Sequence, residues 1–191
     1  AALASSCSQA QASAEPASVP IAKSDAVDDL LEGRERWRIP IDELALERRI
    51  GGGAMSSMYR ATWEGVTVAV KVAAGCNAMA GWRKEMSTLA QLRHPNIVRC
   101  LGAVSSPPTY CLVLEYCDGG DLYKALKAPT RSGLFWDVAE GVATGMHHLH
   151  RKMILHRDLK SSNILLDTSG GVRITDFGLA KPIRGSRQKR L

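Results

Sequence analysis

The sequence is poor in aromatic residues and contains no long hydrophobic run. Four Trp, four Tyr and two Phe are its only aromatic residues, so a folded core must be built mainly from Leu, Ile, Val, Met and Ala. No apolar stretch approaches the roughly 18 residues that a membrane-spanning helix needs, which excludes a membrane span. With 45% apolar and 23% charged residues, the composition is that of a globular protein, not of a collagen-like or wholly disordered chain.

Paired cysteine motifs and targeting signals are also missing. The five cysteines are an odd number without CxxC spacing, which favours free thiols packed as small hydrophobic residues in a reducing compartment. The N-terminus has no basic region followed by an apolar stretch, and its acidic residues argue against a transit peptide. These features predict a cytoplasmic protein. Because the chain does not begin with Met, we expect that it starts inside a longer reading frame or was processed.

The net charge of +6 is unevenly distributed. Residues 1–30 carry one Lys and four acids, whereas residues 177–191 carry five bases and no acid. This is not the even basic surface of a nucleic-acid-binding protein, and no aromatic residues alternate with the terminal bases, so we expect no nucleic-acid partner. The basic segment has two interpretations, a nuclear-localisation or nucleic-acid patch and the start of a longer loop.

Segment composition predicts a disordered leader followed by a β-rich and then a helical unit. Residues 1–33 are rich in Ala and Ser and show no apolar periodicity, which is typical of disorder. Order should begin near Trp37 and be firm by Leu44. Alternating valines predict a half-buried strand over 66–72, and apolar spacing predicts a helix over 82–92 that ends before His94-Pro95. A short apolar run predicts a buried strand over 112–114. Apolar residues at helical spacing predict a long amphipathic helix over 134–149.

The first motif that suggests chemistry is a glycine-rich turn followed by a lysine-bearing strand. Gly51-Gly52-Gly53 would let backbone N–H groups approach phosphates, although a turn without a ligand fits equally well. Lys71 shares a strand face with Ala69 and needs a partner if it points inward. Glu85, 14 residues later, is the obvious partner, and an ordinary surface ion pair is the alternative interpretation.

The second motif combines a charged loop with a short hairpin. His156-Arg157-Asp158-Leu159-Lys160-Ser161-Ser162-Asn163 is followed by Asp176-Phe177-Gly178. Between them, two apolar segments flank Thr168-Ser169-Gly170-Gly171 and predict a hairpin. Such a hairpin would bring the side-chain oxygens of Asn163 and Asp176 together, a suitable pair for a hard divalent cation. The alternative, a solvated charged loop, does not account for so many specified identities.

Together these motifs resemble the signature of the protein kinase family. The resemblance runs from about Leu44 to the C-terminus and implies an α+β, bilobal fold. It implies a kinase domain over residues 44–191, with a β-rich N-lobe (44–117) that contains one helix and an incomplete helical C-lobe (118–191). The segments Trp37-Arg38-Ile39-Pro40 and Arg93-His94-Pro95-Asn96-Ile97-Val98 are similar to those of Raf-related, tyrosine-kinase-like serine/threonine kinases.

The resemblance also implies the residues of a nucleotide site for ATP and Mg²⁺. Gly51 and Gly53 match the phosphate loop, Lys71 the lysine that holds the α/β-phosphates, and Glu85 the helix glutamate that orients it. Asp158 matches the catalytic base, Lys160 the lysine near the transferred phosphate, and Asn163 and Asp176 the magnesium ligands. The remaining expected nucleotide contacts are Ile50, Met58, Ala69, Leu114 at the gatekeeper position, Glu115 and Cys117 in the hinge, Asp121 at the ribose, and Leu165.

Three departures from the family pattern accompany these matches. Ser56 stands where a third loop glycine is usual, and Met58 where a Val normally covers the adenine, so we expect weaker nucleotide affinity. Only 13 residues follow Gly178, whereas a kinase domain lies near the top of the usual domain range of roughly 250 residues. We therefore expect a kinase fragment in which the 134–149 helix lacks part of its packing surface.

The resemblance implies an ATP-dependent serine/threonine kinase that acts on protein hydroxyl groups. The form Asp158-Leu159-Lys160 is similar to that of serine/threonine-specific members, and the expected partner is a protein substrate that presents Ser or Thr. The alternative is a non-catalytic, pseudokinase-like scaffold that still holds nucleotide. The sequence indicates no oligomeric state.

Overall fold

A computed structural model describes residues 37–53, 55–76, 78–107, 109–127 and 133–183. The predicted leader over 1–33 and most of the basic C-terminal segment lie outside these residues. The described part is a mixed α+β structure with a β-rich first half, which confirms the predicted fold class.

The first half of the described residues forms a five-stranded antiparallel sheet with one helix. Its strand order is β1-β2-β3-β5-β4. The bounds are β1 Ala45–Gly52, β2 Ser56–Trp63, β3 Val66–Ala73, α1 Ala78–Leu89, β4 Cys100–Ser106 and β5 Thr109–Glu115. A short 3₁₀ turn over Ile41–Glu43 precedes β1.

The central strand β3 is buried more completely than its alternating valines predict. Val68, Ala69 and Val70 are all buried, although consecutive side chains point to opposite faces of the sheet. One face packs on a core that includes α1, and the other packs on a smaller cluster that includes Ile39. The expected half-buried strand is therefore buried on both faces over its middle.

The helix α1 lies where the apolar spacing predicts it and ends before His94-Pro95. Its buried residues are Trp82, Glu85, Met86 and Leu89. The indole N–H of Trp82 donates to the carbonyl oxygen of Cys111 at 2.8 Å, which fixes α1 against β5.

After Glu115, the part of the chain that the structure describes has two helices and several short strands. These are β6 Gly120–Asp121, α2 Leu122–Ala125, α3 Leu134–Arg151, β7 Ile154–Leu155, β8 Ile164–Leu166, β9 Val172–Ile174 and β10 Lys181–Pro182. β6, β8 and β9 form one sheet, and β7 pairs with β10. The predicted hairpin around 168–171 is the β8–β9 pair.

The long helix α3 contacts β9 through two glycines. A Cβ atom at Gly141 would lie 2.7 Å from Val172 Cβ, and one at Gly145 would lie 2.8 Å from Ile174 Cδ1, closer than real Cβ contacts come. Leu149 is fully buried, but Phe135 at the start of the predicted apolar stripe is 71% exposed. The stripe is therefore displaced toward the glycines, which let the helix and the hairpin approach closely.

The four described cysteines are free thiols, as predicted, but they differ in burial. Cys100 and Cys111 are buried in the sheet, Cys117 is half-buried, and Cys76 is exposed. Cys76 therefore departs from the expectation of packed thiols. Within the described ranges, none of the helices is both long and apolar enough to cross a membrane.

Candidate functional site: a cleft between the sheet and the helical half

A cleft of about 980 Å³ lies between the sheet and the second half of the chain. All sixteen site residues named from the sequence line it. They are Ile50, Gly51, Gly53, Met58, Ala69, Lys71, Glu85, Leu114, Glu115, Cys117, Asp121, Asp158, Lys160, Asn163, Leu165 and Asp176. Their positions span more than a hundred residues of sequence, so the fold brings together two distant motifs.

The glycine-rich turn joins β1 to β2 at the entrance of the cleft. Gly53 donates its N–H to the carbonyl oxygen of Ser56 at 2.8 Å. Gly52 has a φ of +133°, and a Cβ atom there would lie 2.6 Å from the same carbonyl oxygen. Only glycine fits this position, because both the backbone conformation and the available space exclude a side chain.

Lys71 lies at the centre of a three-residue ion-pair cluster. Its Nζ contacts Glu85 Oε1 at 2.7 Å and Oε2 at 2.8 Å, and Asp176 Oδ1 at 2.9 Å. Burial alone would lower the pKa of the Lys71 ammonium, but the two carboxylates outweigh it and raise that pKa above its ordinary value. Lys71 therefore stays protonated in the cleft. The Lys71 and Glu85 side chains are only 14% and 8% exposed, so the alternative of an ordinary surface ion pair does not describe this contact.

Helix α1 makes a second contact with the segment that carries Asp176. Lys84, next to Glu85, donates from Nζ to the carbonyl oxygen of Gly178 at 2.8 Å. Asp176 itself has a φ of +65°, an uncommon conformation for a residue with a side chain. The backbone conformation and the contacts from α1 together hold the Asp176 carboxylate against Lys71.

Asp158 and Asn163 form the opposite wall of the cleft. Asn163 donates from Nδ2 to the carbonyl oxygen of Asp158 at 2.8 Å and to its Oδ2 at 2.9 Å. Lys160 Nζ lies 2.7 Å from the same Oδ2. The hydrogen bond from Lys160 is the main reason that the pKa of Asp158 is lowered, so the carboxylate is held ionised.

A buried histidine ties the Asp158 loop to the Asp176 segment. His156 is 1% exposed, and its Nε2 lies 2.9 Å from the carbonyl oxygen of Thr175. Its Nδ1 accepts the backbone N–H of Asp158 at 3.2 Å, and its ring packs edge-on against Phe177 with centroids 5.0 Å apart. The sequence placed His156 and Phe177 in the motif without a role, and the structure shows that they join its two halves.

Apolar residues line the inner end of the cleft. Ala69 on β3 pairs with Leu114 on β5, and Met58 on β2 pairs with Lys71. Leu165 on β8 approaches from the second half of the chain. β5 ends at Glu115, whose N–H donates to the carbonyl oxygen of Arg99 at 2.9 Å, and the chain leaves the sheet after this residue along the edge of the cleft.

Two side chains at this end already have local interactions. Asp121 caps α2, because its Oδ1 accepts the N–H of Lys124 at 2.8 Å, and its Oδ2 lies 3.0 Å from the Lys124 ammonium. Burial, followed by the charge of Glu115, raises the pKa of the Cys117 thiol to about 12. Lys124 also lines the cleft and was not anticipated from the sequence, because its position depends on how α2 is capped.

The side-chain oxygens of Asn163 and Asp176 suit a hard divalent cation. Asn163 uses its amide nitrogen toward Asp158, which leaves its carbonyl oxygen on the other branch of the amide. The Asp176 side chain is 43% exposed, and only its Oδ1 is in contact with Lys71. Carboxylate and amide oxygens are the ligands that Mg²⁺ prefers, and Mg²⁺ is usually held by few protein oxygens together with phosphates.

Comparison with known proteins agrees with this geometry. Residues 44–190 match the protein kinase domain family. Over 171 residues the chain is 34% identical to mitogen-activated protein kinase kinase kinase 13-A of Xenopus laevis, an alignment that covers 88% of this chain and 17% of that protein. Over 151 residues it is 38% identical to a probable serine/threonine-protein kinase of Dictyostelium discoideum, with coverages of 75% and 16%.

These matches confirm the resemblance to serine/threonine kinases noted in the motifs. The chain spans less than a fifth of the length of the curated relatives it matches. The family match nevertheless covers both halves of the described structure and the cleft between them. The chain belongs to the protein kinase family.

Proposed function

We propose that this chain carries the nucleotide-binding and phosphoryl-transfer site of a serine/threonine protein kinase. The observation that carries the proposal is the convergence of Glu85 and Asp176 on Lys71, opposite the Asp158–Asn163 wall. Phosphoryl transfer needs little covalent help from a protein, since positioning and charge neutralisation supply most of the rate enhancement. The cleft contains a fixed cation, two oxygen ligands and an ionised carboxylate.

In this proposal the inner end of the cleft binds adenine and the glycine-rich turn covers the phosphates. Ala69, Met58 and Leu165 provide apolar surface for the ring, and the backbone at Glu115 and Cys117 provides hydrogen bonds at its edge. Leu114 limits the depth of the pocket, and Asp121 lies at the ribose end. Ile50, Gly51 and Gly53 border the same space, and Lys71 holds a charged phosphate while Glu85 keeps its ammonium in place.

Asn163 and Asp176 would hold Mg²⁺ in this cleft. When bound, the metal neutralises charge on the phosphates. The arrangement of the chain's own residues prepares this site, because Asn163 is oriented by Asp158 and Asp176 by Lys71. The lowered pKa of Asp158 keeps that carboxylate able to accept a hydrogen bond from a protein hydroxyl group.

Lys160 places a second cation beside Asp158. Its ammonium lies 2.7 Å from Asp158 Oδ2 and its side chain is half-exposed at the mouth of the cleft. In this position it can contact the transferred phosphate while Asp158 orients the acceptor. The form Asp158-Leu159-Lys160 supports a serine or threonine hydroxyl on a protein as the acceptor.

The proposal is tested by transfer of labelled phosphate from ATP and Mg²⁺ to a generic serine-containing protein. Asp158→Asn keeps the shape of the side chain and removes its charge, so transfer should fall by about 10²-fold or more. Nucleotide affinity should change little, because Asp158 faces the acceptor. Equal transfer by the parent chain and Asp158→Asn would overturn the catalytic role, and nucleotide binding without transfer by either would indicate a scaffold.

The thiols of the sheet support a cytoplasmic location. Cys100 and Cys111 are packed as small hydrophobic residues, and burial raises the pKa of Cys100 to about 12 and that of Cys111 to about 11. Thiols used in this way suit a reducing compartment.

A further inference from the structure

The segment that leaves the sheet is attached to the tip of the β8–β9 hairpin by side chains that the proposed chemistry does not use. We call residues 115–121 the connector. Asp118 in the connector accepts from the N–H of Thr168 through Oδ1 and from its hydroxyl through Oδ2, both at 2.8 Å. The N–H of Gly119 donates to the carbonyl oxygen of Leu166 at 3.0 Å. The connector therefore cannot shift without disturbing the hairpin.

Arg173 on β9 makes a second attachment. Its Nε lies 3.3 Å from Glu115 Oε1, and its guanidinium also lies 3.5 Å from Asp167 Oδ2. The same Glu115 oxygen accepts the backbone N–H of Arg99 at 2.7 Å. Arg173 and Glu115 are both less than one-third exposed, so this ion pair is shielded better than a surface pair.

The hairpin turn is itself rigid. Asp167 Oδ1 accepts the N–H of Gly171 and the hydroxyl of Ser169, both at 2.6 Å. A Cβ atom at Gly171 would lie 2.1 Å from Asp167 Oδ2, so the turn closes tightly on this carboxylate. A change in the position of the tip should therefore also move the other ends of β8 and β9.

The two ends of the same hairpin carry the proposed metal ligands. Asn163 directly precedes β8, and Asp176 lies two residues after β9. The N–H of Thr175 donates to the carbonyl oxygen of Asn163 at 3.0 Å, which holds the two ends together. One rigid unit thus contacts the adenine edge through its tip and carries the metal ligands at its base.

We propose that the β8–β9 hairpin is a spacer that fixes the distance between the adenine edge of the connector and the metal ligands. Asp118 and Arg173 are then positioning residues for a nucleotide that is bound at both ends, an inference that rests on the proposed nucleotide site. A ligand held at two points gains affinity only when the two sites are correctly spaced. Loosening the spacer should therefore weaken ATP but not a ligand that uses one end.

The test compares three ligands on the 191-residue chain by equilibrium dialysis. These are adenosine, which uses the adenine end alone, tripolyphosphate with Mg²⁺, which uses the metal end alone, and ATP with Mg²⁺, which uses both. Arg173→Met and Asp118→Ala should each weaken ATP by about threefold to tenfold. Adenosine and tripolyphosphate should bind as in the parent chain. Arg173→Lys should recover part of the ATP affinity, because it restores the positive charge.

Lys152→Met is the matched control, since it removes an exposed cation at the end of α3, away from the cleft. It should leave all three affinities unchanged. Should Arg173→Met fail to fold, Asp118→Ala tests the spacer through its other attachment, the contact with Thr168. An equal loss for all three ligands, or no loss for ATP, would overturn the spacer and leave the proposed site intact. A parent chain that binds neither adenosine nor ATP would overturn both proposals.

Discussion

The two halves of the molecule use their apolar residues in different ways. In the sheet, Val68, Val70 and Val113 have no exposed surface, and apolar residues cover both faces. In α3, Phe135 is 71% and Trp136 73% exposed, and they contact each other edge-on with centroids 5.0 Å apart. The sheet is therefore a closed core, whereas α3 is packed mainly along the side that faces β9.

Replacing a side chain by Ala should destabilise the protein much more in the closed core than at the exposed aromatic pair. Leu112 on β5 is 1% exposed, so Leu112→Ala should lower the free energy of unfolding by about 2–5 kcal/mol. Phe135→Ala should change it by about 0.5 kcal/mol or less, as for other exposed positions. Urea unfolding followed by circular dichroism measures both. Similar losses for the two variants would show that α3 is covered in solution.

The close contact between α3 and β9 depends on Gly145, which has no side chain. Gly145→Ala would place a methyl group 2.8 Å from Ile174 Cδ1 and 2.9 Å from the carbonyl oxygen of Asn96. Since the second neighbour is backbone and cannot rotate away, the variant should lose about 1–3 kcal/mol despite the higher helix propensity of Ala. Ala143→Gly, on the exposed side of α3, is the control.

Ala143→Gly should cost about 1 kcal/mol through helix propensity alone. The same denaturant series applied to Gly145→Ala then separates propensity from packing. A Gly145→Ala chain as stable as the parent would contradict the close helix–hairpin contact.

The smallest expected effect is a difference in reactivity between exposed and buried thiols. Cys76 is exposed in the turn before α1, whereas burial raises the pKa of Cys100, Cys111 and Cys117 well above the ordinary thiol value. Because the thiolate is the reactive form, iodoacetamide at neutral pH should modify Cys76 before these three. Peptide mass spectrometry over time measures the order. Early modification of Cys117 would contradict its half-buried, acid-flanked setting.

The sequence predicted most of the cleft because the relevant residues lie in short motifs with local geometry. Lys71 and Glu85 follow from a strand and a helix that pack together, and Asn163 and Asp176 follow from one hairpin. It did not predict the contacts of Asp118 with Thr168 or of Gly145 with Ile174. Those pairs are far apart in sequence and depend on how complete elements pack, which periodicity and turn signals do not encode.

The difference between the predicted and the observed packed side of α3 has the same origin. The apolar spacing correctly predicted a helix and included Leu149, which is buried. It placed Phe135 on the packed side, although the packed side is centred on Gly141 and Gly145, residues that carry no hydrophobic signal. Close backbone approach is therefore the feature that apolar patterns miss.

A double-mutant cycle on phosphate transfer tests most directly whether Lys71 and Glu85 act as one unit at the phosphates, as proposed. Lys71→Met should reduce kcat/KM by about 10²-fold or more, since it removes the positive charge that holds a phosphate in the proposed site. Glu85→Gln should lose most of the same rate, and the double variant should lose no more than Lys71→Met alone. Losses that multiply in the double variant, or parent-like transfer by Glu85→Gln, would show that the two residues do not act as one unit.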